Sequence, residues 1–106
     1  MTARGEVWLA WLDPGAARDQ HNARPCLMIS PAELHDFLDT VIVAPMTTGS
    51  RPASFRVDVK FNDARMRILL DQVRTIDKSC LLRRVGALAE DDVASSLAIL
   101  RDMFAE

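Results

Sequence analysis

Residues 4–30, RGEVWLAWLDPGAARDQHNARPCLMIS, carry the pattern that decides the fold. Residues 5–12 are apolar apart from Glu6 and contain two tryptophans, which suits a strand with one or both faces buried. Residues 13–15, Asp-Pro-Gly, then predict a turn, because proline fixes φ and glycine accepts a positive φ. A second strand opens at Arg24-Pro25 and continues through an apolar run. Two strands joined by a polar loop therefore begin the chain.

The loop between these strands concentrates polar groups. Residues 16–23 have no hydrophobic periodicity and bring together charged, amide and imidazole side chains (Arg18, Asp19, Gln20, His21 and Asn22). Surface loops of this kind often carry function. Pro25 has no N–H to donate to a ladder, so it suits the start of an incoming or edge strand. Arg24 is therefore expected at the mouth of the second strand, beside the loop.

A short helix is predicted after the second strand. Residues 30–33, Ser-Pro-Ala-Glu, fit a capping box with proline at the first helical position, so the helix should run from Pro31 to about Phe37. We expect Leu34 and Phe37 or Leu38 on its buried side. His35 is expected to be exposed.

The rest of the chain predicts short strands and a terminal helix. β-Branched or alternating apolar residues indicate strands over 40–46, 53–59, 67–73 and 83–88, with a turn at 62–64. Residues 90–104 are typical of an amphipathic helix, whose apolar stripe would be Val93, Leu97, Leu100 and Phe104. The pattern implies a mainly β (α+β) domain over residues 1–106: five to seven strands in a small, strongly bent antiparallel sheet or barrel, with the helix packed on it.

Composition limits the function classes. A net charge of −2 and a pI near 5.6 argue against a protein that coats nucleic acid by charge alone. Arginines still cluster at 51 and 56, 65 and 67, and 83 and 84, where they either contact phosphates or balance the fifteen acidic residues. No run approaches the roughly 20 apolar residues of a membrane span, and no leader pattern opens the chain, so a cytoplasmic location without membrane attachment is expected.

Metal and redox chemistry have little support. The two histidines and two cysteines lack metal-ligand spacing, so no metal site or other cofactor is expected. Cys26 and Cys80 each lie among apolar neighbours and are expected to be free, buried thiols. Residue chemistry alone thus describes a small β domain with an arginine and hydroxyl groups, Thr47 and Thr48, at strand ends. Such a hydroxyl turn needs no function.

Three motifs give the sequence a family resemblance. Residues 4–9, RGEVWL, with 12–14, LDP, Gln20 and Arg24-Pro25, resemble the N-terminal signature of the MazF/PemK (Kid) toxins of bacterial type II toxin–antitoxin systems. Residues 43–48, VAPMTT, and 71–77, DQVRTID, resemble the second and third motifs of the family in the same order. The resemblance covers the whole chain. It implies the SH3-like barrel of the CcdB/PemK superfamily.

The resemblance also implies an activity. MazF/PemK-like toxins are sequence-specific, metal-independent endoribonucleases that cleave single-stranded RNA, including mRNA, and thereby inhibit translation and growth. The substrate's own 2′-hydroxyl attacks, which leaves a 2′,3′-cyclic phosphate and a 5′-hydroxyl. Two alternatives stay open: a CcdB-like toxin that binds DNA gyrase without catalysis, and a catalytically inactive relative.

Candidate catalytic residues follow from the matched motifs. Arg24 is the expected phosphate clamp, because a planar guanidinium can hold two phosphate oxygens. Thr47 falls on the family's functional threonine and is expected to orient or stabilise the phosphoryl group. Asp19 stands where many relatives carry glutamate, and is expected to orient Arg24 or to transfer a proton, although its side chain is one methylene shorter.

Other residues are expected to bind RNA or to support the site: Gln20, His21, Thr48, Phe55, Asp71 and Arg74. His21 is a candidate acid or base because an imidazole titrates near neutral pH. Phe55 would stack on a base or pack in the core. Asp71 matches an aspartate considered as the base in the Kid branch. That branch has an arginine two positions earlier, where this chain has Leu69, and this departure favours Arg24 and Thr47.

The resemblance further implies partners. Relatives are homodimers whose RNA groove spans the dimer interface. A cognate antitoxin (MazE/PemI-like) blocks that groove with an extended, acidic, disordered segment. Arginines around Arg24 and Arg74 would suit such a partner.

Overall fold

The structure, a computed structural model, describes residues 2–106. The predicted domain of residues 1–106 includes Met1, which lies outside the described residues. Residues 2–106 contain seven strands: β1 (Glu6–Trp11), β2 (Ala23–Met28), β3 (Thr40–Thr47), β4 (Arg56–Phe61), β5 (Ala64–Leu69), β6 (Arg74–Asp77) and β7 (Leu81–Ala87). The helices are α1 (Ala32–His35) and α2 (Glu90–Phe104), and single 3-10 turns span Gln20–Asn22, Leu70–Gln72 and Lys78–Cys80.

The strands form one curled antiparallel sheet around β3. Its strand order is β4-β5-β3-β2-β1-β7, and β6 pairs with β3 beyond this path. β3 pairs with β2 and β6 along most of its length, and then with β5 at Met46 and Thr47. A strand that changes partners in this way bends the sheet on itself. The predicted mainly β fold, with a short helix after β2 and a helix at the C-terminus, is confirmed.

Each face of the sheet has its own apolar cluster. One cluster contains Val7, Leu27, Met46, Ile68 and Leu70, and α2 covers it with Val93, Ile99, Leu100 and Met103. The other cluster lies on the opposite face and contains Ala10, Cys26, Met28, Val41, Val43 and Ile76. Side chains alternate between the faces along each strand, so residues of β2 and β3 contribute to both clusters. Arg24 and Thr47 share strand parity with the second cluster.

The predicted burial of α1 is wrong. Leu34 and Leu38 are exposed, Phe37 is 86% exposed, and His35 is the buried residue at 3%. Ser30 does not cap the helix, because its Oγ lies 2.6 Å from His35 Nε2 and accepts a hydrogen bond from the Ile42 N–H at 2.9 Å. A single helical turn cannot bury a stripe of apolar residues, and this polar network fixes it instead.

Strand boundaries also differ from the prediction. β4 and β5 pair as a hairpin around Asn62 and Asp63, whose φ angles of 50° and 63° suit a tight two-residue turn, so the predicted turn is confirmed. In this register β4 spans Arg56–Phe61 instead of the predicted 53–59, and β5 ends at Leu69 instead of residue 73. The sequence did not predict β6 as a separate strand. In α2 the predicted apolar stripe is only partly right, since Phe104 is 74% exposed and Ser96 is fully buried.

Candidate active site

The guanidinium of Arg24 is fixed by the backbone beside it. Nη1 donates to the carbonyl oxygen of His21 at 2.7 Å and to that of Ala23 at 3.0 Å. His21 lies in the 3-10 turn before β2, and Ala23 is the first residue of β2. Arg24 forms no ion pair within residues 2–106, so the rest of its donor fork is available to a ligand. The expected place of Arg24 beside the polar loop is therefore observed.

Asp19 shapes the turn that holds Arg24. It is the N-cap of the 3-10 turn Gln20–Asn22, and its Oδ1 accepts a hydrogen bond from the His21 N–H at 3.0 Å. The carbonyl of the same His21 is the acceptor for Arg24. Within the described chain, Asp19 makes no direct hydrogen bond or ion pair with Arg24. The connection between Asp19 and Arg24 therefore runs through the backbone N–H and carbonyl of His21.

Two residues that sequence reasoning did not assign anchor this loop. Trp11 Nε1 donates to the Asp19 carbonyl at 2.9 Å, which ties the loop to β1. Arg18 lies 5.8 Å from the Trp11 ring centroid and donates to the Ser79 carbonyl at 3.3 Å and to Cys80 Sγ at 3.3 Å.

Arg24 and Arg74 line one cleft. It has a volume of about 320 Å³, and the loop contributes the rest of its lining through Leu12, Asp13, Pro14, Ala16 and Asn22. Arg74 is the first residue of β6 and pairs with Val43 of β3. Its Nη1 donates to the Leu12 carbonyl at 3.3 Å. The lining carboxylate, Asp13, accepts a hydrogen bond from the Gly15 N–H. Two guanidinium groups facing one carboxylate give a cleft suited to an anion.

Thr47 lies at the same end of the sheet as Arg24. The β2–β3 ladder ends at the pair Cys26–Pro45, and Arg24 and Thr47 are each two residues beyond it on their strands. By strand alternation they share a face. Thr47 and Thr48 line a second cleft, formed with the β4–β5 hairpin, rather than the cleft that contains Arg24 and Arg74. The arginine and the threonine thus lie at one end of the sheet, and each lines a different cleft.

Asp71 is paired with Arg56, a contact that the sequence alone did not predict. Arg56 Nε and Nη2 donate to the two carboxylate oxygens of Asp71 at 3.0 and 3.1 Å. These hydrogen bonds lower the pKa of Asp71. Arg56 stands opposite Leu69 in the hairpin register, so a guanidinium reaches Asp71 from the neighbouring strand. The turn at residues 62–63 could have predicted this contact, because a hairpin with that turn pairs residue 56 with residue 69, close to Asp71.

The remaining candidates occupy the surface. Gln20 and His21 are exposed on the 3-10 turn. Phe55 is 37% exposed and precedes β4, so of its two expected environments the structure gives the surface one. Within residues 2–106, His, Cys, Asp and Glu side chains form no group of three that would hold a metal ion. Neither helix of that range has the length and hydropathy of a membrane span.

The family can now be identified by comparison. A sequence model described as "PemK-like, MazF-like toxin of type II toxin-antitoxin system" matches residues 3–104. The chain belongs to the PemK/MazF family of toxins. The match includes the loop, both clefts and α2.

Two relatives of this PemK/MazF-family chain carry enzyme names. It is 38% identical over 79 residues to endoribonuclease PemK of Escherichia coli, which covers 70% of this chain and 59% of that protein. It is 33% identical over 96 residues to endoribonuclease MazF of Staphylococcus epidermidis, covering 85% and 80%. The aligned part thus spans under two thirds of the PemK relative.

A solved structure supports the family fold. The chain resembles a mycobacterial endoribonuclease solved in complex with its cognate antitoxin, with a TM-score of 0.80 and 20% identity over 96% of this chain and 93% of the other. At this identity the likeness concerns the fold. The curled sheet with its terminal helix is therefore that of the PemK/MazF barrels, as expected.

Proposed function

We propose that this PemK/MazF-family chain is a sequence-specific endoribonuclease that cleaves single-stranded RNA, mRNA included, without a metal ion. The observation that carries this function is the fixed guanidinium of Arg24. Its Nη1 is held by two backbone carbonyls, and its remaining donors line an anion-suited cleft with Arg74. The relatives named endoribonuclease PemK and endoribonuclease MazF support the same activity.

The reaction requires proton transfer and charge stabilisation. The substrate's 2′-oxygen forms a bond to phosphorus as its proton leaves, and the bond from phosphorus to the 5′-oxygen breaks as that oxygen gains a proton. The products are a 2′,3′-cyclic phosphate and a 5′-hydroxyl. In between, negative charge develops on the five-coordinate phosphorus centre, where positioned donors lower the barrier.

Each candidate residue receives a role from its geometry. Arg24 binds the phosphoryl oxygens through the donors that the loop leaves available. The Thr47 hydroxyl, at the same sheet end, donates to the same group. Asp19 is a positioning residue, because its carboxylate caps the turn whose carbonyl fixes Arg24. Arg74 supplies a second positive charge in the cleft.

The supporting residues extend the surface offered to RNA. Gln20 and His21 project from the turn beside Arg24, and His21 is a candidate for proton transfer. Thr48 follows Thr47 at the mouth of the second cleft. Phe55 is exposed enough to stack on a base.

Partners complete the proposal. We expect a homodimer and a cognate antitoxin of the MazE/PemI type, whose acidic segment would occupy the cleft of Arg24 and Arg74. The similar mycobacterial endoribonuclease forms a complex with its cognate antitoxin, which supports the second expectation. The cytoplasm, where mRNA is translated, is the proposed location.

Product chemistry tests this function. Purified protein should be incubated with a long single-stranded RNA in EDTA, and the fragment ends analysed. Cuts at one short repeated sequence, with 2′,3′-cyclic phosphate and 5′-hydroxyl ends, are expected. Intact RNA from a folded dimer without antitoxin would refute the proposal and favour a binding protein, including a CcdB-like gyrase inhibitor.

A further inference from the structure

The outer face of the β4–β5 hairpin carries a polar stripe that begins at Thr47. The strand registers pair Thr47 with Arg67, Asp58 with Arg67, and Lys60 with Arg65. Paired residues and residues two apart share a face of a sheet, so these five side chains lie together. The opposite face carries Val57, Val59, Met66 and Ile68, which belong to the apolar core under α2.

One charged pair of this stripe is not arranged for sheet stability. Lys60 and Arg65 stand directly opposite each other, and like charges in that position destabilise a strand pair. Neither forms an ion pair within residues 2–106. Arg67 differs, because its Nε donates to Asp58 Oδ1 at 2.7 Å. The two cations nearest the hairpin tip therefore keep their charge available for a ligand.

A cleft makes these cations accessible. Its volume is about 530 Å³, and its polar lining comprises Thr47, Thr48, Asp58, Lys60, Arg65, Arg67 and Asp92. Asp58 is engaged by Arg67, and Asp92 lies in the first turn of α2. Three cations against two carboxylates leave one net positive charge in the cleft. Arg65 lies two residues beyond Arg67, about 7 Å farther along the strand from the pair with Thr47.

We propose that this cleft binds phosphates of the single-stranded RNA that flanks the cut site, an inference that rests on the proposed ribonuclease function. The position of the cleft favours RNA over an acidic protein segment, because the cleft is continuous with the proposed reaction site at Thr47. The cleft begins at Thr47 and Thr48, so a strand held at the reacting phosphate would continue onto Arg65 and Lys60. Arg65 offers a fork and Lys60 a point charge, and both bind phosphate without reading sequence.

Binding and salt dependence test the proposal directly. The double variant Lys60→Gln and Arg65→Gln is compared with wild type and with a matched control, Arg83→Gln and Arg101→Gln, which neutralises two exposed arginines outside the cleft. The probes are a long and a short single-stranded RNA with 2′-fluoro groups in place of the 2′-hydroxyls, so that no cleavage occurs. For the long RNA, the slope of log affinity against log salt should become shallower by about 1.4, which corresponds to two lost phosphate contacts. The salt slope of the control variant on the long RNA should equal that of wild type, and the salt slope of the cleft variant on the short RNA should also equal that of wild type.

The outcomes separate this inference from the proposed function. Equal salt slopes for wild type and the cleft variant, or an equal loss in the control, would overturn the phosphate track. Unchanged RNA binding with reduced binding of polyglutamate would overturn it in favour of an acidic protein partner. Failure of wild type to cut unmodified RNA would refute the ribonuclease, whereas the 2′-fluoro measurement would still decide whether the cleft binds RNA.

Discussion

Arg56 donates from Nε and Nη2 to the two carboxylate oxygens of Asp71, at 3.0 and 3.1 Å. This bidentate pair joins the start of β4 to the 3-10 turn after β5. It engages the carboxylate that the sequence offered as a general base. We infer from this pairing that Asp71 stabilises the position of that turn rather than accepting the proton of the 2′-hydroxyl.

Replacement of Asp71 by asparagine tests this assignment. If Asp71 holds the turn and is not the base, kcat should fall less than about tenfold, because removal of a general base costs about 10²–10⁴-fold. The measurement is single-turnover cleavage across pH. A loss of several hundredfold, together with disappearance of the acidic limb of the pH–rate profile, would show that Asp71 takes the proton.

The same pair makes a pH-dependent contribution to stability. Hydrogen bonds from Arg56 lower the folded-state pKa of Asp71 below its ordinary value of 3.8. The carboxylate therefore stabilises the fold above pH 3.8, and this contribution is lost as the pH falls through the folded-state pKa. Denaturant unfolding should show wild type to be more stable than Asp71→Asn at pH 7, with the difference vanishing in strong acid. A constant difference at every pH would contradict the assignment.

Two variants of Asp19 distinguish a positioning role from a role in proton transfer. Asp19→Asn keeps an oxygen that can cap the His21 N–H, whereas Asp19→Ala removes it at a cost of about 1 kcal/mol. We expect Asp19→Asn to retain most of the wild-type kcat, and Asp19→Ala to lose activity because the carbonyl that holds Arg24 shifts. Equal, large losses in both variants would indicate that the carboxylate itself transfers a proton.

The overall barrel follows from local patterns, but the details of the site depend on contacts between distant residues. Apolar periodicity and turn residues locate most strands, and the family motifs point to Arg24. The reversed burial of α1 could not be predicted, since it depends on Ser30 and Thr2 meeting His35. The role of Asp19 depends on a 3-10 turn, and the partner of Asp71 on a strand register. The 3-10 turn has no local sequence signature, and the register can be read only after the hairpin turn at residues 62–63 has been located.

His35 and Phe37 provide a paired test of that reversal. His35 is buried, with Nε2 at 2.6 Å from Ser30 Oγ and Nδ1 at 2.7 Å from Thr2 Oγ1. His35→Ala should lower the free energy of unfolding by about 2 kcal/mol, because buried polar partners lose their hydrogen bonds. Phe37→Ser should change it by less than about 0.5 kcal/mol, since the side chain is exposed. Denaturant titration measures both, and the opposite order would contradict the observed burial.

The two cysteines should differ in reactivity. Both are free, and Cys26 is fully buried while Cys80 is partly exposed. Burial raises the pKa of the Cys26 thiol to about 12, so almost no thiolate forms there at pH 8. Iodoacetamide should label Cys80 in the native protein and Cys26 only after unfolding, as mass spectrometry of the peptides would show. Rapid labelling of Cys26 under native conditions would mean that the apolar cluster around Cys26, Met28 and Val43 opens to solvent.

The central claim is that the fixed guanidinium of Arg24 performs the phosphate chemistry. The direct measurement is the single-turnover rate of RNA cleavage in EDTA by wild type, Arg24→Ala and the control Arg83→Ala, each verified as folded by circular dichroism. The account predicts a loss of at least about 100-fold for Arg24→Ala, as for removal of one transition-state donor, and none for the control. Cleavage by Arg24→Ala at the wild-type rate would contradict it.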